Sequence, residues 1–142
     1  NFDKEFPHWK GRGYEIEGFA WWQGDKDRYV EAHAVRYEKN LVRLIKTLRE
    51  EFKAPAAKFV VATLGQTPRN APPGNEKLIL DAQLAVDGAT GKYPDFKGNV
   101  STVYTHPLSQ GGASNSHYNG NAQTYMDIGL GMGKAMVDLL KK

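Results

Sequence analysis

The chain has 142 residues, of which 40% are hydrophobic and 25% are charged, with a formal net charge of +3. This size and composition predict a single domain over residues 1–142, or a large part of one. Basic and acidic residues are interleaved, which argues against a nucleic-acid partner, and no apolar run reaches the ~18 residues that a membrane span requires. The absence of cysteine excludes disulfides, thiol nucleophiles and cysteine metal sites.

Hydrophobic periodicity predicts three strands that alternate with three helices. In chain order these are a strand at 14–22, a helix at 29–52, a strand at 58–64, a helix at 75–86, a strand at 99–105 and a helix at 122–140. This alternation is typical of an α/β fold with a parallel sheet. Three strands are fewer than the five or six common in a doubly wound sheet. Because the chain also begins at Asn1, we expect an N-terminal portion to be absent.

Two of the helices carry recognisable apolar faces. The face predicted for the first consists of Tyr37, Leu41, Leu44, Ile45, Leu48 and Phe52. The face predicted for the second consists of Leu78, Ile79, Ala82 and Ala85. The connections at 65–74 and 107–120 are rich in Gly, Pro, Ser and Asn, and we expect them to border a site.

Polar residues follow the first predicted strand directly, where an apolar run ends in two tryptophans. They are Gln23, Gly24, Asp25 and Asp27. Loops at the carboxyl ends of parallel strands are where ligands bind in α/β folds. A glutamine amide there can donate a hydrogen bond to an oxyanion, and the carboxylates can orient a histidine. The alternative is a turn in which the Asp side chains bond to nearby backbone N–H groups.

His117 lies in the polar loop that precedes the last helix. An imidazole can accept and donate a proton near neutral pH, which makes His117 the best candidate for a general base. The alternative is an exposed loop histidine beside a helix that Asn119 or Asn121 caps.

Metal and dinucleotide sites are not predicted. Asp25 and Asp27 lack the regular spacing and final Glu of a calcium loop, and the four histidines show no zinc-type spacing. The glycines at 129–133 fall inside the last helix, whereas a dinucleotide fingerprint follows a strand and opens a helix. We expect these glycines to permit close packing of the helix on the sheet.

Three segments together resemble the SGNH-hydrolase superfamily, in its sialate O-acetylesterase-like branch related to carbohydrate esterase family six. They are residues 22–27 (WQGDKD), residues 37–41 (YEKNL) and residues 117–125 (HYNGNAQTY). The resemblance implies a three-layer α/β/α flavodoxin-like fold and a serine-type carbohydrate acetylesterase that needs no cofactor. The implied substrate is an acetylated carbohydrate or another small ester, and family habit suggests a secreted or periplasmic protein.

The same resemblance implies roles for individual residues. His117 would be the base that activates a serine nucleophile, and Gln23 an oxyanion-hole or site-organising residue. Asp25 and Asp27 would support the Gln23 loop. Ser114 stands where the family often has an acid three residues before the histidine. The group that orients His117 is therefore open: Asp25, Asp27, a backbone carbonyl, or none.

The nucleophile is the main departure from the family pattern. The family's G-Q-S-N-like block is absent, and Ser101, Ser109, Ser114 and Ser116 are the only serines. We therefore expect this chain to be the C-terminal part of the fold, inactive alone, with the nucleophile on a missing N-terminal portion or a partner chain. The alternative function is a non-catalytic carbohydrate-binding or interaction protein. A cut through a parallel sheet also predicts an exposed strand edge and an uncovered apolar face.

Overall fold

The computed structural model of the protein describes residues 1–112 and 114–141, and at 114–116 it describes the backbone alone. It contains three strands, which are β1 (Gly18–Trp21), β2 (Lys58–Ala62) and β3 (Val100–Val103). The helices are α1 (Phe2–Glu5), α2 (Glu31–Glu51), α3 (Asn75–Ala85) and α4 (Ala122–Leu140). The predicted order of strands and helices is confirmed, and α1 is an addition that sequence reasoning missed.

The strands form a parallel sheet in the order β1-β2-β3. Phe59 in the central strand is aligned with Phe19 on one side and Val100 on the other. Four residues of β2 in succession are fully buried, because helices cover both faces of a parallel sheet. The predicted α/β class with a flavodoxin-like arrangement is therefore confirmed.

The helices form layers on the two faces of the sheet. On one face, α2 and α3 pack over Phe59, Val61 and Val100 to make the main apolar core. On the other face, α4 packs against β2 and β3, and the side chain of Val103 lies against Gly131. Gly18 in β1 leaves room for Met136, since an added Cβ would lie 2.6 Å from its Cε.

The buried faces of α2 and α3 differ in part from those predicted. Tyr37, Leu41 and Ile45 are buried as expected, whereas Phe52 lies beyond the end of α2 and is 52% exposed. The buried residues of α3 are Ile79, Leu80, Ala82 and Gln83, and Leu78 is 42% exposed. The predicted face contained only apolar residues and therefore did not include Gln83, which is buried in the structure.

All three strands end earlier than predicted, and β1 and β3 also begin later, whereas β2 begins at Lys58 as predicted. Residues 14–17 precede β1, and Tyr14 is 66% exposed. The apolar residues beyond β2 and β3 are in loops at the carboxyl ends of the strands. A hydrophobic run marks burial rather than ladder hydrogen bonds, so it overstates strand length there.

Two surfaces of the described chain remain uncovered. β1 and β3 are the edge strands of the sheet. On α4, Met126, Leu130 and Val137 are exposed, and an added Cβ at Gly129 or Gly133 would meet nothing within 4 Å. Only Gly131 of the three helix glycines packs on the sheet, so the packing role expected of all three is correct for that one alone.

Candidate active site

A groove of about 370 Å³ lies at the carboxyl ends of β1 and β2. It brings together three of the four predicted site residues, Gln23, Asp25 and His117, although they come from opposite ends of the chain. Asp27 instead lines a neighbouring pocket of about 390 Å³ beside α2, and Gln23 lies between the two. The parallel sheet accounts for this convergence, because the loops that leave its carboxyl ends meet at one edge.

Gln23 is held at both its side chain and its backbone. Its Nε2 donates to Asp27 Oδ2 at 2.7 Å, which leaves the second N–H of the amide for another acceptor. The backbone carbonyl of Gln23 accepts hydrogen bonds from the Tyr37 hydroxyl at 2.7 Å and from Gln83 Nε2 at 2.9 Å. Asp27 therefore contacts the Gln23 side chain directly.

Position 24 requires a glycine. Its φ of 137° is in the region that favours glycine. An added Cβ would lie 3.1 Å from Ile79 Cγ2 and 3.2 Å from the Tyr37 hydroxyl. The loop therefore turns with its backbone pressed against α2 and α3.

Asp25 forms an ion pair with a partly buried cation, Arg28. Arg28 Nε donates to Asp25 Oδ1 at 2.8 Å, and Arg28 also bonds to Glu76 at the start of α3. Burial opposes the charge of Arg28, but Asp25 and Glu76 outweigh it and raise its pKa. This ion-pair network ties the loop to α3.

His117 is exposed and lies in an uncommon backbone conformation. His117, Tyr118 and Asn119 have φ of 50°, 52° and 50°, a left-handed run that costs non-glycine residues about 1–2 kcal/mol each. Such strain persists only where the surroundings compensate for it. Here Tyr118 is buried and its hydroxyl accepts a hydrogen bond from Gly65 N at 3.2 Å, while Asn121 caps α4 through Thr124 N at 2.9 Å.

Three aromatic rings form one wall of the groove. Trp22 stacks on Tyr118 with centroids 6.0 Å apart, and Tyr125 meets Trp22 edge-on at 5.6 Å. Burial raises the pKa of Tyr118, although the Gly65 N–H acts against that rise. Tyr125 is 39% exposed and presents an aromatic surface to solvent.

Sequence reasoning missed Gln83 as a residue of this region and assigned Tyr37 no role in the site. Gln83 is fully buried, and its Oε1 accepts a hydrogen bond from Leu64 N at 3.2 Å. The available signal was a glutamine at helical spacing from Ile79 and Val86, on the face that the core should bury. A buried glutamine needs hydrogen-bond partners, so its position indicated a polar contact.

The serines with described side chains do not line the groove. Ser101 is in β3, and Ser109 Oγ donates to the Thr105 carbonyl at 2.9 Å. The side chains of Ser114 and Ser116 lie outside the described part of the chain. The acid position before His117 is therefore also outside it.

Two negative findings concern the described ranges 1–112 and 114–141. Within them no group of three or more His, Asp or Glu side chains could hold a metal ion. None of the helices there combines the length and apolar composition needed to cross a bilayer.

The family model for carbohydrate esterase, sialic acid-specific acetylesterase (SASA), matches residues 5–138. The chain belongs to this family. The resemblance found in the three sequence segments is therefore confirmed, and with it the assignment to carbohydrate esterases. The individual roles of Gln23, Asp25, Asp27 and His117 stay predictions.

An X-ray structure at 1.6 Å of a protein from Arabidopsis thaliana is similar in fold. Its TM-score to this chain is 0.61 at 24% sequence identity, and the match covers 96% of this chain and 49% of the plant protein. This chain thus spans about half the length of that structure. Among curated proteins, none matches this chain.

Proposed function

We propose that the groove is half of an active site for the hydrolysis of acetyl esters on carbohydrates. The observation that carries this proposal is the meeting of Gln23 and His117 in one groove at the carboxyl ends of the strands. An amide that still has an N–H to donate and an imidazole are two of the three groups that serine-type ester hydrolysis needs.

The reaction follows serine-hydrolase chemistry. His117 accepts the proton of a serine hydroxyl as its oxygen attacks the ester carbonyl. The second N–H of Gln23, together with backbone N–H groups, stabilises the tetrahedral oxyanion. The bond between the carbonyl carbon and the sugar oxygen then breaks as His117 gives the proton to that oxygen, which leaves as the sugar hydroxyl, and an acetyl-serine remains. Water, activated by His117 in the same way, hydrolyses the acetyl-serine to acetate and free serine.

The serine comes from outside residues 1–142 in this proposal, from a preceding portion of the polypeptide or from a partner chain. β1 is an edge strand, so its outer side is open to a further parallel strand. Beside it, the pocket that Asp27 lines also presents Trp21, Leu41 and Leu44. A segment that pairs with β1 and fills this pocket would end next to Gln23, where the nucleophile is needed.

The substrate is an acetylated sugar, for which the family description names sialic acid. Trp22 and the exposed Tyr125 support this proposal, because aromatic faces bind the apolar faces of sugar rings. Such substrates outside the cytoplasm would fit a secreted or periplasmic protein.

The decisive experiment compares the chain alone with the chain joined to the segment that precedes it in the native protein. With an aryl acetate as substrate, we expect turnover from the longer protein and none from residues 1–142. Serine-dependent turnover by the chain alone, lost when Ser101, Ser109, Ser114 or Ser116 is replaced by Ala, would contradict the external nucleophile. Sedimentation gives a second measurement: the uncovered β1 edge and α4 face predict self-association of the isolated chain.

A non-catalytic carbohydrate-binding protein is the second candidate, and the aromatic wall of the groove favours it. Titration of the longer protein with sialic acid, and assay of its esterase activity, separates the two functions. Binding without turnover, weakened by Tyr125→Ala, would support the binding protein, whereas turnover would exclude it.

A further inference from the structure

We propose that Gln83 is a positioning residue that presets the Gln23 amide for the oxyanion, with Tyr37 as its partner. This inference rests on the proposed function, because it assigns a role in the same site. Gln83 lies on α3 and is fully buried, so it touches no substrate. It acts through the backbone of the residue that does.

Gln83 joins the ends of two neighbouring strands. Its Nε2 donates to the carbonyl of Gln23, two residues after β1 ends, at 2.9 Å. Its Oε1 accepts from Leu64 N, two residues after β2 ends, at 3.2 Å. One rigid side chain thus sets the spacing of the two backbones, and Gln23 and Leu64 both line the groove.

Tyr37 fixes the same carbonyl from a different helix. Its hydroxyl donates to the Gln23 carbonyl at 2.7 Å, so both lone pairs of that oxygen are occupied by buried donors. Burial also raises the pKa of Tyr37, which keeps the hydroxyl protonated and able to donate. Gly24 completes the anchor because its backbone lies against Tyr37, Gln83 and Ile79.

Asp27 orients the side chain of Gln23, whose backbone is held by Tyr37 and Gln83. A carboxylate only accepts hydrogen bonds, so the Asp27 contact at 2.7 Å identifies the Gln23 nitrogen and orients its remaining N–H. The backbone and the side chain of Gln23 are therefore both fixed in the absence of substrate. A donor that needs no reorganisation during the reaction stabilises the transition state most effectively.

A purely structural role predicts a different response to mutation. If Gln83 only satisfied buried backbone groups, Gln83→Met would lower stability throughout the molecule and leave the Gln23 loop ordered. If Gln83 positions Gln23, the loop would become mobile while the rest of the chain stays ordered.

The test uses ¹⁵N relaxation on the full chain, with the backbone amides of residues 23–25 and the side-chain NH₂ of Gln23 as probes. In the wild type we expect backbone order parameters of about 0.85 at residues 23–25. In Gln83→Met we expect them to fall below about 0.6, together with a fall at the Gln23 side chain and no change elsewhere. Tyr37→Phe removes one hydroxyl and gives a second variant should Gln83→Met not fold. Asp87→Asn is the matched control, because it weakens hydrogen bonds to the loop between α3 and β3 and to Thr102, none of which lines the groove.

An unchanged order parameter at residues 23–25 in both Gln83→Met and Tyr37→Phe would overturn the proposal. The chain joined to its preceding native segment allows a catalytic measurement, in which Gln83→Met should lower kcat about tenfold with little change in KM. A mobile Gln23 with unchanged kcat would keep Gln83 as the positioning residue and would instead overturn Gln23 as the oxyanion donor.

Discussion

Two loops beside the sheet use polar side chains in opposite ways. In the loop that connects α3 to β3, the carboxylate of Asp87 accepts hydrogen bonds from the backbone of Ala89, Thr90 and Thr102 and from the Thr90 hydroxyl. These hydrogen bonds hold the loop together and attach it to β3. At the carboxyl end of the sheet, buried side chains hold the backbone of Gln23 and leave part of its amide for another group.

This difference separates polar residues that stabilise the fold from polar residues that the fold makes available to a ligand. A polar side chain whose hydrogen bonds all go to the surrounding protein, as those of Asp87 do, stabilises the fold around it. A polar side chain that other residues orient, but that still has an unused donor or acceptor, is available to a ligand. Further hydrogen bonds hold it in that orientation. Mutations of these residues test the distinction.

Replacement of His117 tests whether the carboxyl end carries the chemistry. In the longer, active protein we expect His117→Ala to lower kcat/KM for an aryl acetate by about 10³-fold, because a general base contributes 10²–10⁴. His33→Ala is the control, since His33 is an exposed histidine of α2 outside the groove. Equal activity of the two variants would contradict the assignment of His117 as the base.

Two glycines with positive φ compare backbone packing at the two ends. Gly24→Ala should lower the free energy of unfolding by about 3 kcal/mol, because both its φ and its contacts with Ile79 and Tyr37 reject a Cβ. Gly98→Ala, at the amino end of β3, should cost about 1 kcal/mol, since its φ is 74° but an added Cβ meets nothing within 4 Å. Urea denaturation measures both, and equal costs would show that the Gly24 loop is not tightly packed.

The pH dependence of stability tests the role of the Asp87 carboxylate. Burial raises the pKa of Asp87, but the hydrogen bonds from Thr102, Thr90 and Ala89 outweigh it, so the net pKa is lowered. A carboxyl with a lowered folded pKa stabilises the protein above its unfolded value of about 3.9 and loses that contribution as pH falls through the folded pKa.

Asp87→Asn should therefore cost about 1 kcal/mol at neutral pH and progressively less in acid. Urea midpoints of the two proteins, measured from pH 7 downward, should converge below about pH 4. A constant difference over that range would mean that the Asp87 charge contributes nothing.

Two glutamines at the carboxyl end give the smallest predicted effect and the sharpest contrast. Both amide atoms of Gln66 are buried and make no hydrogen bond with the described residues, whereas those of Gln83 are bonded. Gln66→Met should raise the free energy of unfolding by about 1 kcal/mol, and Gln83→Met should lower it. Thermal unfolding of both variants tests this, and a loss of stability in Gln66→Met would show that its amide has a partner.

Much of the secondary structure could be predicted from the sequence. The bounds of α4 were predicted to the residue, because the Asn121 cap and the helical periodicity are local signals. The order of strands and helices and the parallel sheet followed from the same patterns. The strand ends were wrong because buried loop residues next to a strand have the composition of the strand itself.

The sequence alone determined which residues could meet at the carboxyl end of the sheet, since chain order and alternation place Gln23 and His117 there. Only the tertiary structure decided what each of them bonds to. Asp25 and Asp27 have the same side chain and lie two residues apart, yet one pairs with Arg28 and the other bonds to Gln23. The buried donors Tyr37 and Gln83 reach Gln23 from other helices, and contacts between residues so distant in the chain leave no periodic signal in it.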